Sequence, residues 1–172
     1  MNEAMNVLYE RRSIRRYKPK QISREELDAV LKAGVCAASG KNLQSAVMVA
    51  VQDKETRDLL SRLNAAVLGT ASDPFYGAPS VIVVLADANS PYAVQDGSLV
   101  MGNLMNAAKA AGLGSCWINR AKEVFDTDEG KALLKKWGIE GEWTGIGNCI
   151  LGYAAEDPAI KPRKDNYVYY VL

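Results

Sequence analysis

The chain has 172 residues, long enough to bury a core within one domain, and its 48% apolar and 24% charged content is that of an ordinary soluble globular protein. Its 21 basic and 20 acidic residues leave a net charge of +1, which excludes a general electrostatic pull toward nucleic acid or a membrane surface. It has no histidine, and Cys36, Cys116 and Cys149 lack metal-ligand or disulfide spacing, so a zinc centre and Ser-His or Cys-His catalysis lose their usual groups.

In chain order, MNEAMNVLYERR carries acids and no apolar leader stretch, and no run reaches the roughly 18 to 20 apolar residues of a membrane span. A cytoplasmic protein is expected. Ala4 to Glu10 predicts a short helix leading into a basic run. Ser23-Arg24-Glu25-Glu26 is a capping box that opens a second helix toward Ala37, and Ser39 to Asn42 closes it with turn chemistry. Ala46 to Val51 predicts a buried strand, and Asp53 to about Leu68 a helix with Leu59, Leu60 and Leu63 facing inward. After a loop from Gly69 to Pro79, Val81 to Asp87 (VIVVLAD) is the clearest strand of the chain. Ser90-Pro91 reads as the N-cap and first turn of a long helix to about Ala111. Ser115 to Asn119 predicts a short strand, Asp126 or Thr127 to Trp137 a helix, and Trp143 to Tyr153 the last strong strand. The tail YVYYVL reads as an extended segment that adds to a sheet edge, here or in a second subunit. Cys36, Cys149, Trp117 and Trp143 read as core, and Asp96 as a solvated or capping acid. No repeat or linker interrupts the chain, so one α+β or α/β domain over residues 1–172 is expected.

The segment ERRSIRRYKPK, Glu10 to Lys20, gathers Arg11, Arg12, Arg15, Arg16, Lys18 and Lys20. Such a run is a solvated loop, a nucleic-acid face or a phosphate site, and the near-zero net charge weakens the second. Arg12-Ser13-Ile14-Arg15 places a hydroxyl between two guanidinium forks, which suits a phosphate dianion. Ile14 and Tyr17 amid the cations predict a packed segment. Lys161-Pro162-Arg163-Lys164 is a second cluster that could meet the same anion, and spacing alone leaves that convergence open.

Five stretches stand in the order of the landmarks of one family: Arg11-Arg12-Ser13-Ile14-Arg15-Arg16-Tyr17; Ala38-Ser39-Gly40-Lys41-Asn42-Leu43-Gln44; Gly77-Ala78-Pro79 before VIVVLAD; GLGSCWIN over Gly112 to Asn119; and GYAAEDPAIKPRK. Over nearly its whole length the chain resembles the nitroreductase family of FMN flavoproteins. The resemblance implies an α+β sandwich with a mostly antiparallel sheet flanked by helices, and an intertwined homodimer with FMN at the interface. It also implies NADH or NADPH as electron donor, an electron-poor small-molecule acceptor of nitroaromatic or quinone type, and ping-pong order. Chemistry would then run on flavin N5, with no obligatory protein acid or base and no metal, nucleic-acid or membrane partner.

By residue, the resemblance implies that Arg11, Arg12, Ser13 and Arg15 hold the FMN phosphate and ribityl chain, Arg12 also reaching the ring edge. Ala38, Ser39, Gly40 and Asn42 would approach the flavin from the other subunit. Ser115, Cys116, Trp117 and Ile118 would line one ring face, a backbone N–H there or near Asn119 bonding N5. Lys161 and Arg163 would close the phosphate site. The chain departs from the family pattern at Ala38, where a proline is common, and at Ser45-Ala46, which replace a Pro-Trp-like pair. The Gly69 to Pro79 loop leaves little room for a helical lid. Two other readings of the residues stand beside this one: a flavin-binding carrier or sensor without turnover, and a basic patch binding phosphate or RNA.

Overall fold

The computed structural model describes residues 2–172. Helix α1 (Glu3–Glu10) is capped by the Asn2 side chain, which accepts from Met5 N. In α2 (Arg24–Val35) the capping box forms in both directions: Ser23 Oγ accepts from Glu26 N, and Glu26 accepts from Ser23 N. Strand β1 (Ala46–Val51) leads to α3 (Lys54–Leu68), which Asp53 caps and which ends at Gly69, with φ 73° in the left-handed region that glycine tolerates. Then come β2 (Ser80–Asp87), α4 (Ala93–Ala110), β3 (Gly114–Ile118), α5 (Ala121–Asp126), α6 (Asp128–Lys136) and β4 (Trp143–Gly152).

Two boundaries differ from the sequence expectation. Ser90 Oγ accepts from Tyr92 N, so Ser90-Pro91 builds a turn and α4 starts only at Ala93. Helix α5 was not expected, because six residues are too few to show a helical period. It lies against the sheet at Gly145, where an added Cβ would fall 2.3 Å from the Ala121 carbonyl carbon.

The sheet order is β1-β2-β4-β3, with every neighbouring pair antiparallel. Side chains of Val81, Val83 and Leu85 face α3, α5 and α6, while Ile82 and Val84 face α2 and α4. Helices cover both faces, which is why β2 is apolar without alternation. Each of these side chains contributes roughly 1.5–3 kcal/mol by leaving water. The thiol of Cys149 is fully buried on β4, and burial, with Cys116 nearby, pushes it up to about 12. Cys36 is exposed, contrary to its reading as core, because it caps the C-terminus of α2 rather than lying on its inner face. Among the described residues, the outer edge of β1 has no strand partner. The tail from Tyr167 to Leu172 lies exposed without pairing in this chain. Among the described residues, no helix is long and apolar enough to cross a membrane.

The loop between α3 and β2 is rigidly tied. Arg57, 8% exposed, donates to Ala78 O (2.9 Å) and Asp73 Oδ2 (2.7 Å) and stands over the Phe75 ring. Asp73 also accepts from Ser61 Oγ, Phe75 N and Gly77 N. Partial burial would raise the Asp73 pKa, but bonds from Ser61, Arg57, Gly77 and Phe75 outweigh it and hold the group below its ordinary value.

Two outcomes follow from this packing. Gly145→Ala must displace main chain rather than a flexible side chain, and thermal unfolding should show a loss of at least about 1–3 kcal/mol. Asp73→Asn should cost about 1–2 kcal/mol at neutral pH, a figure discounted for the partly open carboxylate. Because the folded pKa is depressed, that contribution exists above the unfolded value of about 3.9 and is lost as pH falls through the folded one. Urea unfolding should therefore show the wild-type advantage over Asp73→Asn shrinking below about pH 4.

Candidate functional site

The basic run is bound to the sheet by its main chain. Ser13 bridges Ser115 in parallel, and Ile14 N donates to Ser115 O (3.0 Å). Further along, Lys18 N donates to Tyr153 O and Ala155 N to Arg16 O, both 2.9 Å. Ile14 packs its side chain onto Gly114, where a Cβ would sit 3.0 Å from it. The Tyr17 hydroxyl donates to Ile14 O (2.7 Å), and burial foremost raises its pKa, so it stays a neutral donor. Arg15 N donates to Glu156 Oε1 (2.5 Å). The segment is thus an extended addition to the outer edge of β3, not a free cationic loop.

That anchoring forces two guanidinium groups partly out of water. Arg12 Nη1 donates to Tyr9 O and Arg11 O, each at 2.7 Å, at the C-terminal end of α1. Arg12 Nε and Nη2 and Arg11 Nη1 are buried and meet no acceptor. Arg11, Arg12, Ser13 and Arg15 line a pocket of about 240 Å3 with Pro158, Ala159, Lys161 and Arg163, so the two cationic stretches face one cavity. Among the described residues, the charged side-chain nitrogens of these five cations have no carboxylate oxygen within 4.0 Å. Buried donors without acceptors are costly, and a cluster of guanidinium forks around a hydroxyl is the donor set of a phosphate dianion.

Strand β3 continues the site. Ser115 is buried beside Ser13, and Cys116, Trp117 and Ile118 border a cavity of about 190 Å3 with Arg15, Tyr76, Asn119 and Arg120. Arg15 therefore stands at both this cavity and the cationic pocket. The Cys116 and Ile118 side chains enter the core toward α3 and α5, and Trp117 packs against Gly147 and Met101 on the opposite face. Ser115 turns its carbonyl outward to Ile14, so by the alternation of a strand Trp117 turns its own N–H and C=O to the same open edge. It is the main-chain edge of β3 that lies open. Asn64, fully buried on α3, donates to Asn119 O (2.8 Å) and accepts from Arg120 Nε (3.0 Å), fixing the strand's end where Arg120 has φ 72°.

Ala38, Ser39, Gly40 and Asn42 do not join these cavities within the chain. Ala38 and Ser39 border a separate pocket of about 140 Å3 with Gln44, Asp96 and Val100. The turn they begin is held by Asp96, which is 2% exposed and accepts from Gly40 N and Ser45 Oγ, both at 2.8 Å. Asp96 is thus neither solvated nor a simple cap. Asp96, Asn64 and Arg120 were not singled out from sequence as site residues. The signal was present for the first two, since each is a polar residue on the apolar stripe of its helix, Asp96 beside Gly97 and Val100 and Asn64 beside Leu60 and Leu63.

Comparisons with known proteins point to one family. A family model described as the Nitroreductase family matches residues 8–73 and 69–153. A relative from Archaeoglobus fulgidus, provisionally named NADH dehydrogenase/NAD(P)H nitroreductase, is 32% identical over 173 residues, covering 97% of this chain and 94% of its own. The FMN reductase [NAD(P)H] of Bacillus subtilis is 25% identical, covering 95% of this chain and 70% of its own. The crystal structure of a nitroreductase with bound FMN from Bacteroides fragilis superposes over 100% of both chains, with TM-score 0.90 and 28% identity. The order of landmarks, the antiparallel sheet and these matches agree: the chain belongs to the nitroreductase family.

Proposed function

We propose that this protein is an FMN-dependent oxidoreductase that draws electrons from NADH or NADPH and passes them to an electron-poor small molecule of nitroaromatic or quinone type. The observation that carries the proposal is the set of buried, unpartnered nitrogens of Arg11 and Arg12 in a pocket that Lys161 and Arg163 complete. An FMN phosphate fits that donor set, and FMN is the ligand of the Bacteroides fragilis relative. The names of the Bacillus subtilis relative and of the NADPH-flavin oxidoreductase of Vibrio harveyi supply the nicotinamide donor.

In this reading Arg11, Arg12, Ser13 and Arg15 bind the phosphate and ribityl chain, and Lys161 and Arg163 close the pocket. Ser115, Cys116, Trp117 and Ile118 line the ring, and the edge of β3 left open beyond Ser115, at Trp117 and on to Asn119, presents main-chain donors to it. Ala38, Ser39, Gly40 and Asn42 come from a second copy. Bound FMN would supply hydride transfer at N5, chemistry that no amino-acid side chain offers. Donor and acceptor use one slot in turn, in ping-pong order. The protein's part is orientation and charge: the arginines anchor the phosphate, and the clamped end of β3 keeps the edge donors fixed.

A homodimer completes the site. Strand β1 (AVMVAV) offers an uncharged, proline-free edge, and the tail carries Tyr167, Val168, Tyr169, Tyr170, Val171 and Leu172 exposed. A tail from one copy on the β1 edge of the other would cover both. A cytoplasmic setting suits the three free thiols, one of them exposed.

Four measurements test these statements. Purified protein should be yellow and release FMN on denaturation, and NADH or NADPH should bleach the bound flavin. A flavin that resists bleaching by both would favour the carrier or sensor reading. The double variant Arg12→Ala/Arg15→Ala should lose FMN while its fold stays largely intact, the two Arg12 bonds to Tyr9 O and Arg11 O costing about 1–2 kcal/mol when removed. Retained FMN in that variant would contradict the phosphate assignment. FMN at 100 times its Kd should stabilise wild type by about 2.7 kcal/mol and leave the variant's Tm unmoved. Light scattering should give a dimer, and removal of residues 167–172 should shift it toward monomer.

A further inference from the structure

We propose that Asp96 is a positioning residue for the flavin site: its buried carboxylate holds the turn over Ser39 to Ser45 in the one shape that can meet the isoalloxazine ring. This rests on the reading that the turn of one copy reaches the flavin of the other. The turn is unfavourable by itself. Lys41, Asn42 and Gln44 all have left-handed backbone, with φ of 50°, 57° and 50°, in a stretch of four residues without glycine. Its internal bonds are all local: Asn42 N donates to Ser39 O (3.1 Å) and Leu43 N to Gly40 O (3.0 Å), Ser39 Oγ accepts from Gln44 N, and Gln44 Nε2 donates to Asn42 Oδ1, the last two at 3.1 Å.

What ties the turn to the rest of the molecule is Asp96. One carboxylate oxygen accepts from Gly40 N and the other from Ser45 Oγ, so a single group grips both ends. Asp96 stands in the first turn of α4, where the helix dipole favours a negative charge. Gly40 must come close to reach it, and a Cβ there would fall 2.4 Å from the Tyr92 ring. Ser45 is in turn fixed to β2, its carbonyl accepting from Asp87 N. The carboxylate borders the cavity of Ala38 and Ser39, and its partners, Gly40 N and Ser45 Oγ, are none of the proposed phosphate donors. Its loss should therefore weaken grip on the ring while Arg11, Arg12, Ser13 and Arg15 keep their own contacts.

The chemistry of replacement separates this role from simple stability. Asparagine can still accept from Gly40 N–H with its oxygen and donate its amide to Ser45 Oγ, whereas alanine leaves both partners buried and unsatisfied. The test is titration of flavin-free protein with FMN and with riboflavin, which lacks the phosphate. Asp96→Ala should weaken both flavins by the same factor, roughly tenfold or more, while Asp96→Asn stays within about threefold of wild type. Asp96→Ala that binds both flavins as wild type does, even with a lower Tm, overturns the proposal, and so does a loss confined to FMN. Should Asp96→Ala fail to fold, Ser45→Ala removes one of the two bonds: a severalfold loss for riboflavin supports the clamp, and wild-type affinity overturns it. Wild-type protein that takes up neither flavin would sink the flavin reading and this inference together, so the wild-type arm tells the two failures apart.

Discussion

A guanidinium withdrawn from water needs an acceptor, and this chain withdraws two of them without giving either a full set. Arg12 spends one nitrogen on the carbonyls that end α1, and its other nitrogens, with one of Arg11, meet nothing. The Arg12 guanidinium is held in place by its Nη1 bonds to Tyr9 O and Arg11 O, and the main chain below it by the Ile14 N–H bond to β3. The energetic deficit is therefore built into the fold, beside a pocket that both arginines line. An anion that fills it recovers several charge-assisted hydrogen bonds at once, and that is the basis on which a phosphate ester is proposed as the occupant.

The rest of the architecture serves that edge. Strand β3 is the outermost strand, so one side of its main chain is free for the basic run and, further along, for a ligand. The helices on both faces absorb the side chains of Cys116, Trp117 and Ile118, leaving backbone rather than side chains at the cavity. Asn64 fixes the end of the strand from α3, and the Arg57–Asp73 cluster fixes the opposite wall. The site is built from parts tied to the sheet and helices by hydrogen bonds.

Much of this was legible in the sequence, and the reasons are local. The capping box at Ser23 and Glu26 uses groups three residues apart, and β2 announces itself by an unbroken apolar run. The landmarks of the family mark the cationic segment and β3 because both need particular residue types at fixed spacing. What stayed hidden depends on tertiary partners. Helix α5 owes its existence to the gap at Gly145, and Cys36 is exposed because α2 stops one residue earlier. Asp96 looked like a surface acid because an acid in a first helical turn usually is one; only the fold brings Gly40 and Ser45 to it. The convergence of Arg12 and Arg163 on one pocket joins residues about 150 apart, and no local pattern encodes that distance.

The most direct measurement is 1H–15N NMR of the arginine Nε–H groups of flavin-free protein during titration with FMN and, separately, riboflavin. The account predicts that FMN shifts the Arg12 Nε–H and slows its exchange with water, while riboflavin leaves it in place. An Arg12 signal that ignores FMN, or answers riboflavin equally, would contradict the claim that a phosphate satisfies the buried guanidinium.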